Sequence, residues 1–335
     1  RRHTRYIGDW SSDVCSSDLD TGKLFRETKK QAIYIAEYYD YYAGMADKVE
    51  GTVLPIDKPN IQAITTRVPI GVIAAIIPWN SQMLLTVTKL APALAMGNTV
   101  VIKSSELAPA VLFEFAKLVE QTGIPKGVVN VITGFGDPCG KALTTHNLVE
   151  KIAFTGGPET ARKIIRNSAE NLSEVSLELG GKSPVAVFDD ADQENALNGI
   201  TAGIFGASGQ SCIAGSRLYI QANIYDDFLN KLIDKANNIK LGPPMSETTQ
   251  MGPLNSLKQL ELIDADTGQL SEVFELETDR IISGVSVGYN SFFYVDADGI
   301  VYAHDANSGD LKWEKELEDV VLSKILITST QAFLQ

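Results

Sequence analysis

Short apolar runs alternate with longer stretches of helical spacing from about residue 20 to about residue 263. Gly71–Ile77, Thr99–Ile102, Val128–Ile132, Lys151–Phe154, Val175–Leu177 and Pro184–Phe188 are nearly free of polar interruption, which is the length and character of strands buried on both faces. Between the second and third runs, Val111, Leu112, Phe115, Leu118 and Val119 recur on one helical face behind Pro109, a residue suited to a first helical turn. An earlier polar and aromatic stretch, Lys23–Val49, has helical spacing and is closed by Gly51 and Pro55. Strands alternating with helices of this size predict an α/β fold: a Rossmann-like parallel sheet with flanking helices and right-handed crossovers. A nucleotide at the carboxyl ends of the strands is the usual consequence of such a sheet.

Composition narrows the classes. A 335-residue chain with 44% hydrophobic residues is long enough for roughly two domains. No apolar run approaches the roughly 20 residues of a membrane span, and none has the order of a signal peptide; a cytoplasmic enzyme without a membrane partner is expected. Cys15, Cys139 and Cys212 are odd in number and lack CxxC spacing, which argues against a disulfide framework and against a metal site. The net charge of −13 disfavours nucleic acid as a partner. That charge is uneven: Leu257–Gln335 holds 15 acidic and 5 basic residues, so most of it lies in the last quarter. Residues 1–19 have no apolar period, cluster serine and aspartate around Cys15, and resemble a translated adapter; they are expected to be a non-native leader.

The chemistry-bearing residues stand at the predicted strand ends. Ile76-Ile77-Pro78-Trp79-Asn80 closes the first core strand, where Asn80 could donate its amide to a developing oxyanion, or where the segment could be a turn with a packed indole. Lys103 closes the second strand, with Glu106 three residues on; the pair could hold the hydroxyls of a ribose or form a solvated ion pair. Gly134-Phe135-Gly136 and Gly140 follow the third strand. Phe154-Thr155-Gly156-Gly157 follows the fourth and opens a helix near Pro158, a position suited to a pyrophosphate, although glycines after strands are commonly just turns. Cys139, between those glycines, reads as a small buried apolar residue. Glu178-Leu179-Gly180-Gly181 and Gly209-Gln210-Ser211-Cys212 place a carboxylate 34 positions before a thiol. A carboxylate can serve as general base for water or for such a thiol.

Six of these motifs in order, PWN, the lysine strand end, GFG, FTGG, ELGG and GQSC, resemble the NAD(P)-dependent aldehyde dehydrogenase family over about residues 23–262. The resemblance implies Cys212 as nucleophile, Glu178 as general base and Asn80 as oxyanion ligand together with the Cys212 amide. It implies a dinucleotide site lined by Ile76, Ile77 and Trp79, by Lys103 and Glu106, by Gly136 and Gly140, by Phe154, Thr155, Gly156 and Gly157, and by Leu179. Family members often carry serine where Gly157 stands, so a hydroxyl to the pyrophosphate is missing there. The implied reaction oxidises a small-molecule aldehyde to a carboxylic acid through a cysteine thiohemiacetal and thioester. Glu178 favours hydrolysis over acyl transfer to coenzyme A, and Glu106, which repels a 2′-phosphate, favours NAD over NADP. The implied domains are an NAD-binding domain over 20–180 and the start of a catalytic domain over 181–262. The family's later Glu-x-Phe-Gly-Pro motif and the strand it uses to form homo-oligomers are not found, so impaired turnover is expected.

Beyond residue 262 a different pattern begins. Asp264–Leu270 recurs as Asp305–Leu311, a period of 41, close to one β-propeller blade. Phe292–Val295 and Ile300–Ala303 flank Asp298-Gly299 as a hairpin, and Val301–Trp313 resembles quinoprotein-like propellers, a family with periplasmic outer-membrane assembly lipoproteins among its members. His304 and Trp313 read as repeat packing. An all-β blade fragment over 263–335 is therefore expected, too short to close a ring. Two readings of function stand: a truncated dehydrogenase with an unrelated tail, or a propeller-type interaction protein behind an enzyme relic. A junction without a linker, cut inside both domains, points to an assembly chimera. One long sequencing read across residues 250–270 checks this: a chimera predicts reads carrying one segment or the other, whereas a natural fusion gives both.

Overall fold

A computed structural model describes residues 20–255 and, beyond them, 262–263, 270–272, 286–288, 291–295, 300–305, 310–316, 325–327 and 332–334. The chain divides into two compact units, Arg1–Gly252 and Pro253–Gln335. The first opens with helix α1 (Phe25–Met45) and an exposed antiparallel hairpin, β1 (Thr52–Leu54) with β2 (Ala63–Thr65). Gly51 is needed at its base, because a Cβ there would meet the Thr65 carbonyl oxygen at 1.9 Å. Then follow β3 (Val72–Ile76), α2 (Gln82–Ala95), β4 (Thr99–Lys103), α3 (Ala110–Gln121), β5 (Val129–Ile132), α4 (Lys141–Thr144), β6 (Val149–Gly156), α5 (Pro158–Ser168) and β7 (Glu174–Leu179).

The expected parallel sheet is present, in the order β5-β4-β3-β6-β7 with every pair parallel. Strand β3 is central, and both of its faces are covered. Ile73, Ala75 and Ile77 pack with Leu90, Val100, Ile102, Val111, Leu112 and Phe115 on one side. Ala74 and Ile76 pack with Val149, Ile152, Phe154, Ala161 and Ile164 on the other. That is why this strand reads as an unbroken apolar run instead of an alternating one. Helix α1 lies on α2 through Ile35, Val87 and Ala91. Chain order runs outward from β3 in both directions, so the carboxyl ends of β3 and β6 flank the point where the winding reverses, the usual ligand crevice of such sheets.

A smaller two-stranded parallel sheet follows, β8 (Pro184–Val187) with β9 (Arg217–Ile220), linked by α6 (Gln193–Phe205) and covered by α7 (Tyr225–Asn237). Asp192 starts α6 by accepting the Asn195 N–H at 3.1 Å, and Phe228, fully buried, packs with Val187 and Ile200. Strands β7, β8 and β9 are half exposed, with Leu179, Phe188 and Tyr219 open to solvent. No helix among the described residues is long and apolar enough to cross a membrane.

In the second unit, β10 (Leu262–Ile263) pairs with β11 (Leu270–Glu272). Strands β12 (Ser286–Gly288), β13 (Ser291–Val295), β14 (Ile300–Asp305) and β15 (Leu311–Glu316) form a four-stranded antiparallel meander, and β16 (Ile325–Ile327) pairs with β17 (Ala332–Leu334). The expected hairpin pairs Val295 with Val301 and Tyr294 with Tyr302. In the later repeat copy, the Asp305 N–H donates to the Asp310 carbonyl at 2.8 Å and Lys312 Nζ lies 2.8 Å from the Asp305 carboxylate. The Asp298-Gly299 turn, the turn of the earlier copy from Asp264 to Gln269, the Trp313 side chain and residues 1–19 lie outside the described residues.

The burial pattern sets a stability contrast. Ile102→Ala, which empties a fully buried position on β4, is predicted to cost about 3 kcal/mol in urea unfolding. Val53→Ala on the exposed hairpin is predicted to stay within about 0.5 kcal/mol.

Candidate functional site

The carboxyl edge of the large sheet collects the residues expected to hold a dinucleotide. Strand β4 runs one residue further than its apolar run and ends on Lys103, which lies level with Ile76 of β3 and Ile132 of β5. Lys103 is 5% exposed; its ammonium donates to the Ser104 carbonyl at 3.1 Å and to Glu106 Oε2 at 3.4 Å, while Glu106 reaches solvent. The loop after β5 folds back onto this lysine, and a Cβ at Gly140 would lie 3.7 Å from Lys103 Cε. Gly134, at φ +153°, lets that loop close, since a Cβ there would stand 2.7 Å from the Cβ of half-buried Cys139. Gly136 faces open space.

The end of β6 shows the same economy. Phe154 is buried in the sheet core and its ring lies where a Cβ on Gly156 would be, at 2.5 Å. Gly157 is exposed and opens α5 with Pro158 in its first turn and no side chain capping its N–H groups. Those amides and the helix dipole make the position electropositive. Ile76 and Ile77 are buried, so they could offer a ligand only backbone atoms, and the Ile77 N–H is already given to the Lys103 carbonyl at 3.0 Å. Trp79 is half-buried and Leu179 is exposed.

The candidate reaction residues come from three separate stretches. Asn80, just past β3, donates its side-chain amide to the Gln210 carbonyl at 2.9 Å, a contact across 130 residues. This bond joins the end of the large sheet to the loop that carries Cys212, which is exposed. That loop begins with consecutive left-handed residues, Ala207 (φ 52°), Ser208 (φ 57°) and Gly209 (φ 74°), a conformation costing about 1–2 kcal/mol at each non-glycine position. Glu178 stands on β7 opposite Thr155 of β6 and is exposed.

Sequence reading missed Lys89. On α2 its ammonium donates to Thr155 Oγ1 at 2.5 Å and feels the Glu178 carboxylate; burial, the larger effect, pushes its pKa down to about 8, with Glu178 pulling upward. The signal was available: Gln82, Thr86 and Lys89 recur at i, i+4 and i+7, a polar stripe on an otherwise apolar helix. Thr155 is thereby committed to Lys89, and Lys89 links the candidate nucleotide edge electrostatically to the candidate base. Also missed was the strap before α1. Lys23, 3% exposed, donates to Ser81 Oγ, and the Gln210 carboxamide donates to the Thr21 carbonyl at 3.3 Å.

A model of the aldehyde dehydrogenase family matches residues 16–272. A (Z)-2-((N-methylformamido)methylene)-5-hydroxybutyrolactone dehydrogenase of Acinetobacter baylyi is 60% identical over 244 residues, covering 73% of this chain and 50% of that protein. The crystal structure of PnpE from Pseudomonas sp. WBC-3 aligns with a TM-score of 0.73 at 44% identity, over 76% of this chain and 52% of that one. Betaine aldehyde dehydrogenase of Staphylococcus aureus in complex with NAD+ aligns with a TM-score of 0.73 at 38% identity, over 75% and 50%. The chain spans about half the length of the curated relatives it matches.

Lys89 gives a signed pH effect. Its folded pKa, about 8, lies below the ordinary 10.5, so between those values the unfolded chain holds a proton that the folded chain has released. Stability then rises with pH. Relative to Lys89→Met, the wild-type chain is predicted to gain stability from about pH 8 to about pH 10.5, as read by urea midpoints.

Proposed function

Because the chain belongs to the aldehyde dehydrogenase family, we propose that residues 20–252 carry the dinucleotide site and the nucleophile of an NAD-dependent oxidation of an aldehyde to a carboxylic acid. The observation that carries this reading is the Asn80 amide bonded to the Gln210 carbonyl, which ties the sheet edge to the Cys212 loop. Lys103 and Glu106 would hold the adenosine ribose, with Gly136 and Gly140 giving backbone room. The uncapped start of α5 at Gly157 would face the pyrophosphate, and its amides would do the work of the missing serine hydroxyl. The glycine spaces and the uncapped helix fit the group. The Glu106 carboxylate favours NAD over NADP by repelling a 2′-phosphate.

The chain's own steps follow from residue chemistry. The Cys212 thiolate adds to the aldehyde carbon, and the carbonyl π pair moves to oxygen. Asn80, whose amide has a second N–H beyond the one given to Gln210, and the Cys212 backbone N–H would stabilise that oxyanion, at roughly 3 kcal/mol per donor. The hydrogen on that carbon leaves as hydride, with its bonding pair, as the oxyanion re-forms the C=O bond to give the thioester, and NAD, when bound, would supply the acceptor for it. Glu178 would then take a proton from water as the water attacks the thioester, and the Cys212 thiolate leaves as the acid forms. Lys89, bonded to Thr155, adds a nearby positive charge that favours the Glu178 carboxylate.

The name of the Acinetobacter baylyi relative extends the substrate class: a 5-hydroxylactone is the ring-closed form of an aldehyde acid. Full turnover is proposed to need cover that the described residues do not provide, because Cys212, Glu178 and the outward faces of β7–β9 are exposed. A blade-like role for the second unit is supported by its four-stranded antiparallel meander and the repeated Asp-x-x-x-Gly-x-Leu turn. Fewer than two blades would not close a ring.

Two readouts test the reading. An aldehyde labelled with 13C at the carbonyl is predicted to give a thiohemiacetal resonance with the wild-type chain and none with Cys212→Ser. Calorimetry is predicted to show NAD binding weakened about tenfold in Lys103→Ala, the scale of a lost charge-assisted hydrogen bond. A wild-type chain that binds no NAD and forms no adduct contradicts it.

A further inference from the structure

The turn that delivers Cys212 is held from an unexpected direction. Of the three non-glycine residues with left-handed φ among the described residues, Ala207 and Ser208 are consecutive, and Gly209 continues the run. Such a stretch persists only where its surroundings determine it. Ser208 Oγ donates to the Gly252 carbonyl at 3.0 Å, and the Gln210 N–H and carboxamide both donate to the Ala207 carbonyl, at 3.1 and 3.3 Å. The Ala207 N–H goes elsewhere. It donates at 3.3 Å to Oε1 of Glu27, on the first turn of α1 and 180 residues earlier. Gly206 faces the same oxygen, 3.9 Å from where its Cβ would be. The other carboxylate oxygen of Glu27 accepts the Leu24 N–H at 3.4 Å, which fixes the side chain at the helix start.

We propose that Glu27 is a positioning residue for Cys212: its carboxylate holds the Ala207 N–H so that the left-handed turn Ala207–Gly209 presents the Gln210 carbonyl to Asn80 and Cys212 to the substrate. The inference rests on the reading of Cys212 as nucleophile. Without the acceptor, a half-buried N–H loses its partner and the turn loses its reason to stay left-handed. The Gln210 carbonyl then leaves the Asn80 amide, and the two halves of the reaction centre separate. Lys23 and Thr21, in the same strap, add contacts on both sides: the Lys23 ammonium donates to Ser81 Oγ and the Thr21 carbonyl accepts from the Gln210 carboxamide.

The test is peptide-resolved hydrogen exchange on the whole chain, with the 13C thiohemiacetal signal measured on the same samples. Glu27→Ala is predicted to speed exchange in residues 206–212 at least tenfold, to leave the β4 and β6 amides unchanged, and to cut the thiohemiacetal signal at least fivefold. Glu27→Gln, which keeps an acceptor oxygen, is predicted to stay within twofold of wild type in both. Should Glu27→Ala not fold, Glu27→Asp takes its place: its carboxylate is one methylene short of Ala207, and the same local effect is expected at smaller size. Unchanged exchange in 206–212 in the variant that folds overturns the proposal, as does Glu27→Gln behaving like Glu27→Ala. A wild-type chain that forms no adduct, while exchange still responds to Glu27, overturns the nucleophile reading and the positioning role with it, leaving only a structural clamp.

Discussion

Burial of β3 on both faces is the constraint from which the arrangement of the first unit follows. With Ile73, Ala75 and Ile77 committed to one layer and Ala74 and Ile76 to the other, the strand has no solvent side. Its neighbours are fixed in turn: Ile76 stands level with Lys103 on β4 and with Phe154 on β6. The chain can become polar only where β3 ends, and there Asn80 projects to the Gln210 carbonyl. The large sheet therefore sets where the Cys212 loop docks, although loop and strand are far apart in sequence.

The two sides of the site are built by different physics. On the proposed nucleotide side, glycines permit close packing: at Gly156 the Phe154 ring fills the position of a side chain, and at Gly134 the Cys139 side chain crowds it. On the reaction side, hydrogen bonds hold an unfavourable backbone, with Glu27, Gln210 and Gly252 gripping the left-handed turn. Lys89 bridges the two, bonded to Thr155 beside the nucleotide edge and charge-coupled to Glu178 on β7. Cys212 and Glu178 both remain open to solvent. The proposed reaction, in which water is kept from a thiohemiacetal but delivered to a thioester, is poorly served by that exposure.

Much of this was legible in the sequence because it is local. Strands buried on both faces announce themselves as unbroken apolar runs, and the motifs at their ends are contiguous. What escaped is non-local or too short. Glu27 reads as one more charge on an amphipathic helix, since its partner Ala207 lies 180 residues away. Lys89 was hidden by the apolar character of α2, although its spacing from Gln82 and Thr86 marks a polar stripe. Strands β1 and β2 are three residues each, below the length at which alternation can be read. Lys103 was legible as the end of the second strand, but not that it would be 5% exposed, because the Ser104 carbonyl contact that holds it there with Glu106 comes from the fold of the following turn.

If the carboxyl edge of the large sheet and the Cys212 loop form one site, a dinucleotide bound at the edge also orders the loop. Hydrogen exchange of the wild-type chain with and without saturating NAD tests this most directly. Simultaneous protection is expected at residues 103–106, 134–140 and 156–160 and, in the same experiment, at 209–213. Protection confined to segments away from the sheet edge, or none at any concentration, would contradict it.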